Sequence, residues 1–117
     1  MIYITGDTHN IEDMTNVSSS NMKLCCAEQN VDYSKITNLI ILGDFGLPWH
    51  DCPVDDNGIH PTNKTDKYLL DWYNKKPFKI FAIMGNHDNY DMLEKLPSVK
   101  MFSSTVLKVS DNIFYLK

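Results

Sequence analysis

The sequence predicts an α/β fold in which mainly parallel strands are joined by crossover helices. Three β-prone apolar runs, at 1–5, 38–42 and 78–84, each stop at a glycine. Nearly continuous apolar character is typical of parallel strands that are covered on both faces. The segments between the runs are long enough for the helices that right-handed crossovers need. We therefore expect three buried strands whose carboxyl ends share one edge of a sheet.

A helix is predicted in each connection between these strands. Serines at 18–20 can cap a helix that starts near position 21 and runs to 29. The second helix is expected over 65–75, where apolar residues recur at helical spacing: Tyr68, Leu69, Trp72 and Tyr73. These two helices supply the two crossovers.

The rest of the chain is expected to be a long loop followed by shorter elements. Prolines and acidic residues in 45–62 predict an irregular loop over the mouth of a site. A capping box at 91–94 predicts a short helix, and strands are expected at 105–109 and 113–116. The chain 1–117 would form a single, incomplete domain, since it stops directly after an apolar strand.

Composition excludes several classes of function. Eleven lysine and arginine residues against fifteen aspartates and glutamates give a net charge of −4, the wrong sign for docking on duplex nucleic acid. The longest apolar runs fall far short of the roughly 20 residues that cross a bilayer. Three cysteines without C-x-x-C spacing predict neither a disulfide framework nor a zinc knuckle. We predict a cytoplasmic protein that contacts no membrane.

Polar clusters follow each of the three predicted strands. They are Gly6-Asp7-Thr8-His9, Gly43-Asp44-Phe45-Gly46 and Gly85-Asn86-His87-Asp88. Carboxyl ends of parallel strands lie on one edge of a sheet, where ligands bind, so these clusters are expected to converge.

The clusters contain the donors that a two-metal site needs, which are hard oxygens, imidazole and a bridging carboxylate. Asp7 and His9 can reach one ion, and Asp44 could bridge to a second ion bound by Asn86. His87 could protonate a leaving oxygen. Taken singly, these residues could instead cap helices, occupy turns or lie exposed. Their joint occurrence after three strands favours the metal site.

The three motifs, in this order, resemble the first three motifs of the calcineurin-like metallophosphoesterases. The resemblance implies the N-terminal half of a four-layer α/β/β/α sandwich. It also implies hydrolysis of phosphomonoesters or phosphodiesters at two divalent ions, drawn from manganese, iron, zinc, nickel and cobalt. By motif, Asp7 and His9 would bind the first ion and Asn86 the second. Asp44 would bridge them, and a hydroxide shared by the ions would be the nucleophile.

The resemblance also suggests roles beside the metals. His87 would contact phosphate or act as the general acid, and Asp88 would orient it. Trp49, in the loop after the second strand, is a candidate wall for a substrate ring. His50 and His60 lie in the same loop, where solvated residues or substrate contacts are expected more often than ligands.

The chain departs from the family pattern in three places. No histidine follows His87, so the later histidine motifs are missing and the second ion would keep only Asp44 and Asn86. Asn10 stands where the family commonly has glycine. The segment 46–49 lacks an Asp-Arg-Gly continuation, which favours a small phosphoester or nucleotide substrate over a phosphoprotein.

These observations predict a phosphoester hydrolase whose 117 residues alone are weakly active or inactive. The alternative is a non-catalytic metal- or nucleotide-binding module that acts through a partner. A third hypothesis is self-association through open strands, in which a second copy completes the sheet or supplies His50 or His60.

Overall fold

The computed structural model describes residues 1–6, 8–85 and 88–116. The strands are β1 (Ile2–Thr5), β2 (Asn38–Ile41), β3 (Val54–Asp55), β4 (Gly58–Ile59), β5 (Lys79–Ile83), β6 (Ser98–Met101), β7 (Ser104–Lys108) and β8 (Ile113–Leu116). The helices are α1 (Ser19–Glu28), α2 (Lys64–Asn74) and α3 (Tyr90–Leu93), and single 3₁₀ turns lie at Met14–Val17 and Tyr33–Lys35. No helix within the described ranges is long and apolar enough to cross a membrane.

Six of the strands form one mixed sheet, in the order β1-β2-β5-β8-β7-β6. The pairs β1–β2, β2–β5 and β5–β8 are parallel, whereas β8–β7 and β7–β6 are antiparallel. The predicted α/β class with mainly parallel strands is therefore confirmed. Strand β6 was not predicted, because Ser98-Val-Lys-Met101 is short and half polar.

The segment 45–62 is not irregular throughout, as the sequence had suggested. It contains the small antiparallel hairpin of β3 and β4. The backbone N–H of Asn57 donates to the Asp55 carboxylate at 2.8 Å, and Gly58 adopts a φ of 117°. This hydrogen bond and the positive φ angle form the turn of the hairpin, which the surrounding prolines made hard to predict from the sequence.

The helices begin where side chains cap them. The Ser18 hydroxyl accepts from the N–H of Asn21, so α1 begins two residues earlier than predicted. The Asn63 side chain accepts from two N–H groups in the first turn of α2. Asn89, and not Asp91, caps α3, which corrects the predicted capping box.

One face of the sheet packs against helices α1 and α2, and we call it the covered face. It carries the inward residues of the central strands, which are Leu39, Ile41, Ile80, Ala82, Ile113 and Tyr115. Helical side chains from the same core pack there: Met22, Cys26, Leu69 and Tyr73. Tyr68 of the predicted helical stripe is instead exposed, because only one narrow side of α2 meets the sheet.

The opposite face of the sheet, which we call the open face, carries the alternate residues. Ile2 and Ile4 on β1 are 57% and 59% exposed. Phe81, Val106 and Phe114 form a small second core that, within the described part of the chain, includes no helical residue. The prediction of a first strand buried on both faces is therefore wrong: β1 is an edge strand, and nothing in the described residues covers its outward side.

Candidate metal and phosphoester site

The carboxyl ends of β1, β2 and β5 lie side by side at one edge of the sheet, because these three strands are parallel neighbours. The loops that follow them bring His9, Asp44 and Asp88 to this edge. The predicted ligands Asp7 and Asn86 and the predicted acid His87 lie outside the described residues, so their assignments stay predictions.

His9 and Asp44 face each other across the gap between the first two loops. The Nε2 atom of His9 lies 3.7 Å from a carboxylate oxygen of Asp44, and the His9 N–H donates to the Asp44 carbonyl at 2.8 Å. Both residues have positive φ angles, 48° and 46°. Such backbone strain in residues other than glycine concentrates at functional sites.

Asp13 holds the ring of His9 from the other side. Its carboxylate lies 2.7 Å from Nδ1 of His9, four residues earlier in the chain. A carboxylate accepts the Nδ1 proton, so Nε2, which faces Asp44, is the ring atom that would bind a metal ion. Asp13 was not among the predicted site residues, although an acidic side chain four positions after a candidate metal histidine was the available signal.

Asn10 adopts the conformation that a glycine would otherwise supply. Its φ is 56°, within the left-handed region that asparagine tolerates better than most residues. Its N–H donates to the Phe45 carbonyl at 3.1 Å, and its side-chain amide donates to the Gly46 carbonyl at 2.6 Å. The departure from the family's glycine therefore keeps the turn and adds a cross-link between the first two loops.

Gly85, two residues after the end of β5, lies directly against Asp44. A Cβ atom built on Gly85 would collide with both the carboxylate and the backbone nitrogen of Asp44. Only glycine allows the third loop to approach the second so closely. This packing explains why a glycine follows the strand at this position.

Asp88 is a buried carboxylate that ties three segments together. One of its oxygens accepts the N–H of Gly46 at 2.7 Å and the hydroxyl of Tyr115 at 2.8 Å. Its other oxygen accepts the N–H of Gly85 at 2.7 Å. Burial, reinforced by the Asp88 charge, raises the pKa of Tyr115 well above its ordinary value, so this hydroxyl stays a donor. In the described residues, Asp88 fixes the second and third loops relative to β8.

A cavity of about 500 Å³ opens beside His9 and Asp44. Its described lining consists of His9, Asn10, Ile11, Glu12, Asp44, Gly46 and Trp49. These residues include two carboxylates and no lysine, and the whole chain contains no arginine. The described lining therefore presents two acidic side chains to a phosphoester.

Trp49 forms one wall of this cavity, and its backbone is fixed on both sides. Its N–H donates to the Asp66 carboxylate at 3.2 Å, and its carbonyl accepts from the Asn89 side chain at 2.9 Å. Asp66 is only 1% exposed and also accepts the N–H of His50 at 2.9 Å. His60 pairs instead with Asp55, at 2.8 Å.

The described donors fit part of a divalent metal site. His9 and Asp44 supply imidazole and carboxylate at the spacing of two ligands on one ion, and Asp13 orients the imidazole. Within residues 1–6, 8–85 and 88–116, no group of three or more histidine, cysteine, aspartate or glutamate side chains forms a complete site.

Comparison with known proteins identifies one family. A family model for calcineurin-like phosphoesterases matches residues 1–116. Searches of curated proteins and of solved structures find no match. The matched region contains all three glycine-headed motifs, together with Asp13 and Trp49.

Proposed function

Since this chain belongs to the calcineurin-like phosphoesterase family, we propose that it hydrolyses phosphoesters with divalent metal ions held at the carboxyl ends of β1, β2 and β5. The observation that carries the proposal is the approach of His9 Nε2 to Asp44, at 3.7 Å, with Asp13 fixing the ring. Two donors bound to one ion at about 2.1 Å each are separated by roughly this distance.

The charge of the cavity supports a metal-dependent mechanism. Glu12 and Asp44 line it, whereas no lysine does so among the described residues. A phosphoester brings further negative charge, which this lining alone cannot offset. When bound, divalent ions would supply Lewis acidity that lowers the pKa of water and offsets the charge that develops on the phosphoryl oxygens.

We assign the residues of this chain as follows. Asp7 and His9 would hold the first ion and Asn86 the second, and the Asp44 carboxylate would be shared by both. His87 contacts the phosphate or donates the proton that the leaving oxygen needs.

Asp88 acts on this site as a positioning residue through its contacts with Gly46, Gly85 and Tyr115. It keeps the second loop, which carries Asp44, in a fixed position relative to the third loop, which would carry Asn86 and His87. We propose that it also orients His87.

The activity of these 117 residues alone is expected to be weak. No histidine follows His87 in them, so Asp44 and Asn86 are the protein ligands available to a second ion. Because catalysis requires a fully held ligand set, hydrolysis of a chromogenic phosphodiester with added manganese should be slow or undetectable.

Metal content provides the direct test. Elemental analysis of the purified, undialysed chain should find bound divalent metal, and Asp44→Ala should lose it. Asp13→Ala should weaken metal binding by about 10- to 100-fold, because it releases the ring of His9. Asp71→Ala removes an exposed carboxylate from the outer side of α2 and serves as the matched control.

Two outcomes would contradict the proposal. Equal metal content in Asp44→Ala and Asp71→Ala would place any metal elsewhere, and a metal-free wild-type chain would remove the basis of the mechanism. One bound ion without hydrolysis, in a chain that forms a complex of defined stoichiometry, would favour the alternative of a non-catalytic binding module. The compact His9–Asp13–Asp44 group is the observation that keeps this alternative open.

A further inference from the structure

We infer that Trp49 is a stacking wall for substrates whose phosphate carries a planar aromatic group, such as a nucleotide. The inference rests on the proposed function, because the phosphate is placed at the metal edge beside His9 and Asp44. It goes further by naming the class of group that the other part of the cavity accepts.

The position of Trp49 is the first support. Trp49 lines the same cavity as His9 and Asp44, so a molecule with its phosphate at those residues can extend toward Trp49. The cavity volume of about 500 Å³ lies within the range of sites that enclose small organic ligands and exceeds the need of a phosphate alone.

The second support is the way in which Trp49 is held. The buried Asp66 carboxylate accepts its N–H, and the Asn89 amide donates to its carbonyl. Asn89 is also the capping residue of α3, so its side chain links the segment that carries Trp49 to the third loop. Because the backbone that carries the indole is already held, binding a flat partner costs less conformational freedom than it would on a mobile loop.

The contrast with Trp72 is the third support. The Trp72 ring packs edge-on against Tyr73, with 4.9 Å between centroids, and Lys76 Nζ lies 4.0 Å above it. Trp49 makes no comparable ring contact with any described residue, and 42% of it is exposed. Trp72 is thus partly buried and packed against other side chains of the protein, whereas Trp49 lines the cavity.

The test compares ligands that share a phosphate but differ in the attached group. Zinc is first titrated into the chain by calorimetry. Adenosine 5′-monophosphate, phenyl phosphate and ribose 5-phosphate are then titrated into the zinc-loaded protein. Stacking of one base adds roughly 5- to 150-fold in affinity, so the nucleotide should bind more tightly than ribose 5-phosphate by a factor in that range.

Two variants make the test specific. Trp49→Leu should remove the preference for the nucleotide, whereas Trp72→Leu, the same substitution outside the cavity, should keep it. In Trp72→Phe, Trp49 is the sole tryptophan, and its fluorescence should be quenched by the nucleotide and left unchanged by ribose 5-phosphate.

Each possible result is decisive. A preference for both aromatic ligands that depends on Trp49 supports the inference, and a preference confined to the nucleotide identifies the group as a nucleobase. If the zinc-loaded chain binds all three ligands equally, or binds none of them, the inference is overturned. The proposed function then stays in place. Failure to bind zinc overturns the proposed function, and the inference with it.

Discussion

The two faces of the six-stranded sheet differ in what packs against them. On the covered face, Leu39, Ile41 and Ile80 are fully buried beneath α1 and α2. On the open face, Ile4 on β1 and Ile83 on β5 are 59% and 41% exposed. Because successive residues of a strand point to opposite faces, Ile80 and Ile83 on the same strand make very different contributions to stability.

The frame of the candidate site is built on the covered face. Tyr115, which donates to Asp88, points into the core beside Phe45, with 5.9 Å between the ring centroids. Phe45 in turn packs edge-on against Tyr73 of α2 at 4.9 Å. The residue directly after Asp44 is therefore anchored in the main core, and the geometry of the site depends on that core more than on the open face.

The largest expected effect comes from a matched pair of substitutions on β5. Ile80→Ala should lower the free energy of unfolding by about 2–5 kcal/mol, because it leaves a cavity in a packed core. Ile83→Ala, on the open face three residues later, should cost less than about 1 kcal/mol. Urea denaturation of both variants measures the difference. Equal losses would mean that the open face is covered in solution.

An intermediate effect is expected at alkaline pH. Burial against the covered face raises the pKa of Tyr73 to about 12, although the nearby Thr8 hydroxyl acts in the opposite direction. In the unfolded chain this hydroxyl ionises near its ordinary pKa of about 10, so the folded state loses stability as the pH rises from about 10 to about 12.

Tyr73→Phe should reduce this alkaline loss, which urea midpoints measured across that pH interval would show. Tyr68→Phe, on the exposed side of the same helix, is the control and should leave the loss unchanged. An identical pH dependence in the two variants would contradict the role assigned to Tyr73. Part of the loss should persist in Tyr73→Phe, since the pKa of Tyr115 is also raised by burial.

The smallest effect on stability is expected on the open face itself. Ile4→Thr should change the free energy of unfolding by no more than about 0.5 kcal/mol, since the side chain is mostly exposed. It should nevertheless lower any concentration-dependent self-association seen by sedimentation, because β1 is an unprotected edge strand. Leu24→Gln, an equally exposed apolar position on α1, is the control. Equal self-association of both variants would mean that β1 does not form the contact between copies of the chain.

The sequence was sufficient to predict the parallel strands and the shared edge. The apolar runs before Gly6, Gly43 and Gly85 are local signals, and parallel pairing then brings their carboxyl ends together whatever lies between them. It could not predict that Ile2 and Ile4 are exposed, because apolar residues look alike on a covered and an uncovered face. The edge position of β1 depends on the order of strands, which is a property of the whole sheet.

The residues that hold the loops of the candidate site in place were harder to predict from the sequence than the three motifs. Asp88 was expected to orient His87, and this role stays a prediction, but its bonds to Gly46 and Tyr115 span 42 and 27 residues. Asp66 lies within the helix predicted over 65–75, and its place in the sequence does not indicate that its carboxylate holds the backbone of Trp49. Contacts of such range follow from packing, which a single sequence does not display.

The Asp88 carboxylate should slow the exchange of two loop amide protons with solvent. It binds the amide protons of Gly46 and Gly85, which lie in loops outside any helix or strand. Loop amides usually exchange with deuterium quickly, but these two can do so only when their shared acceptor moves away. They should therefore exchange as slowly as amides of the central strands. Their protection would report that the edge of the sheet opens as one cooperative unit and not loop by loop.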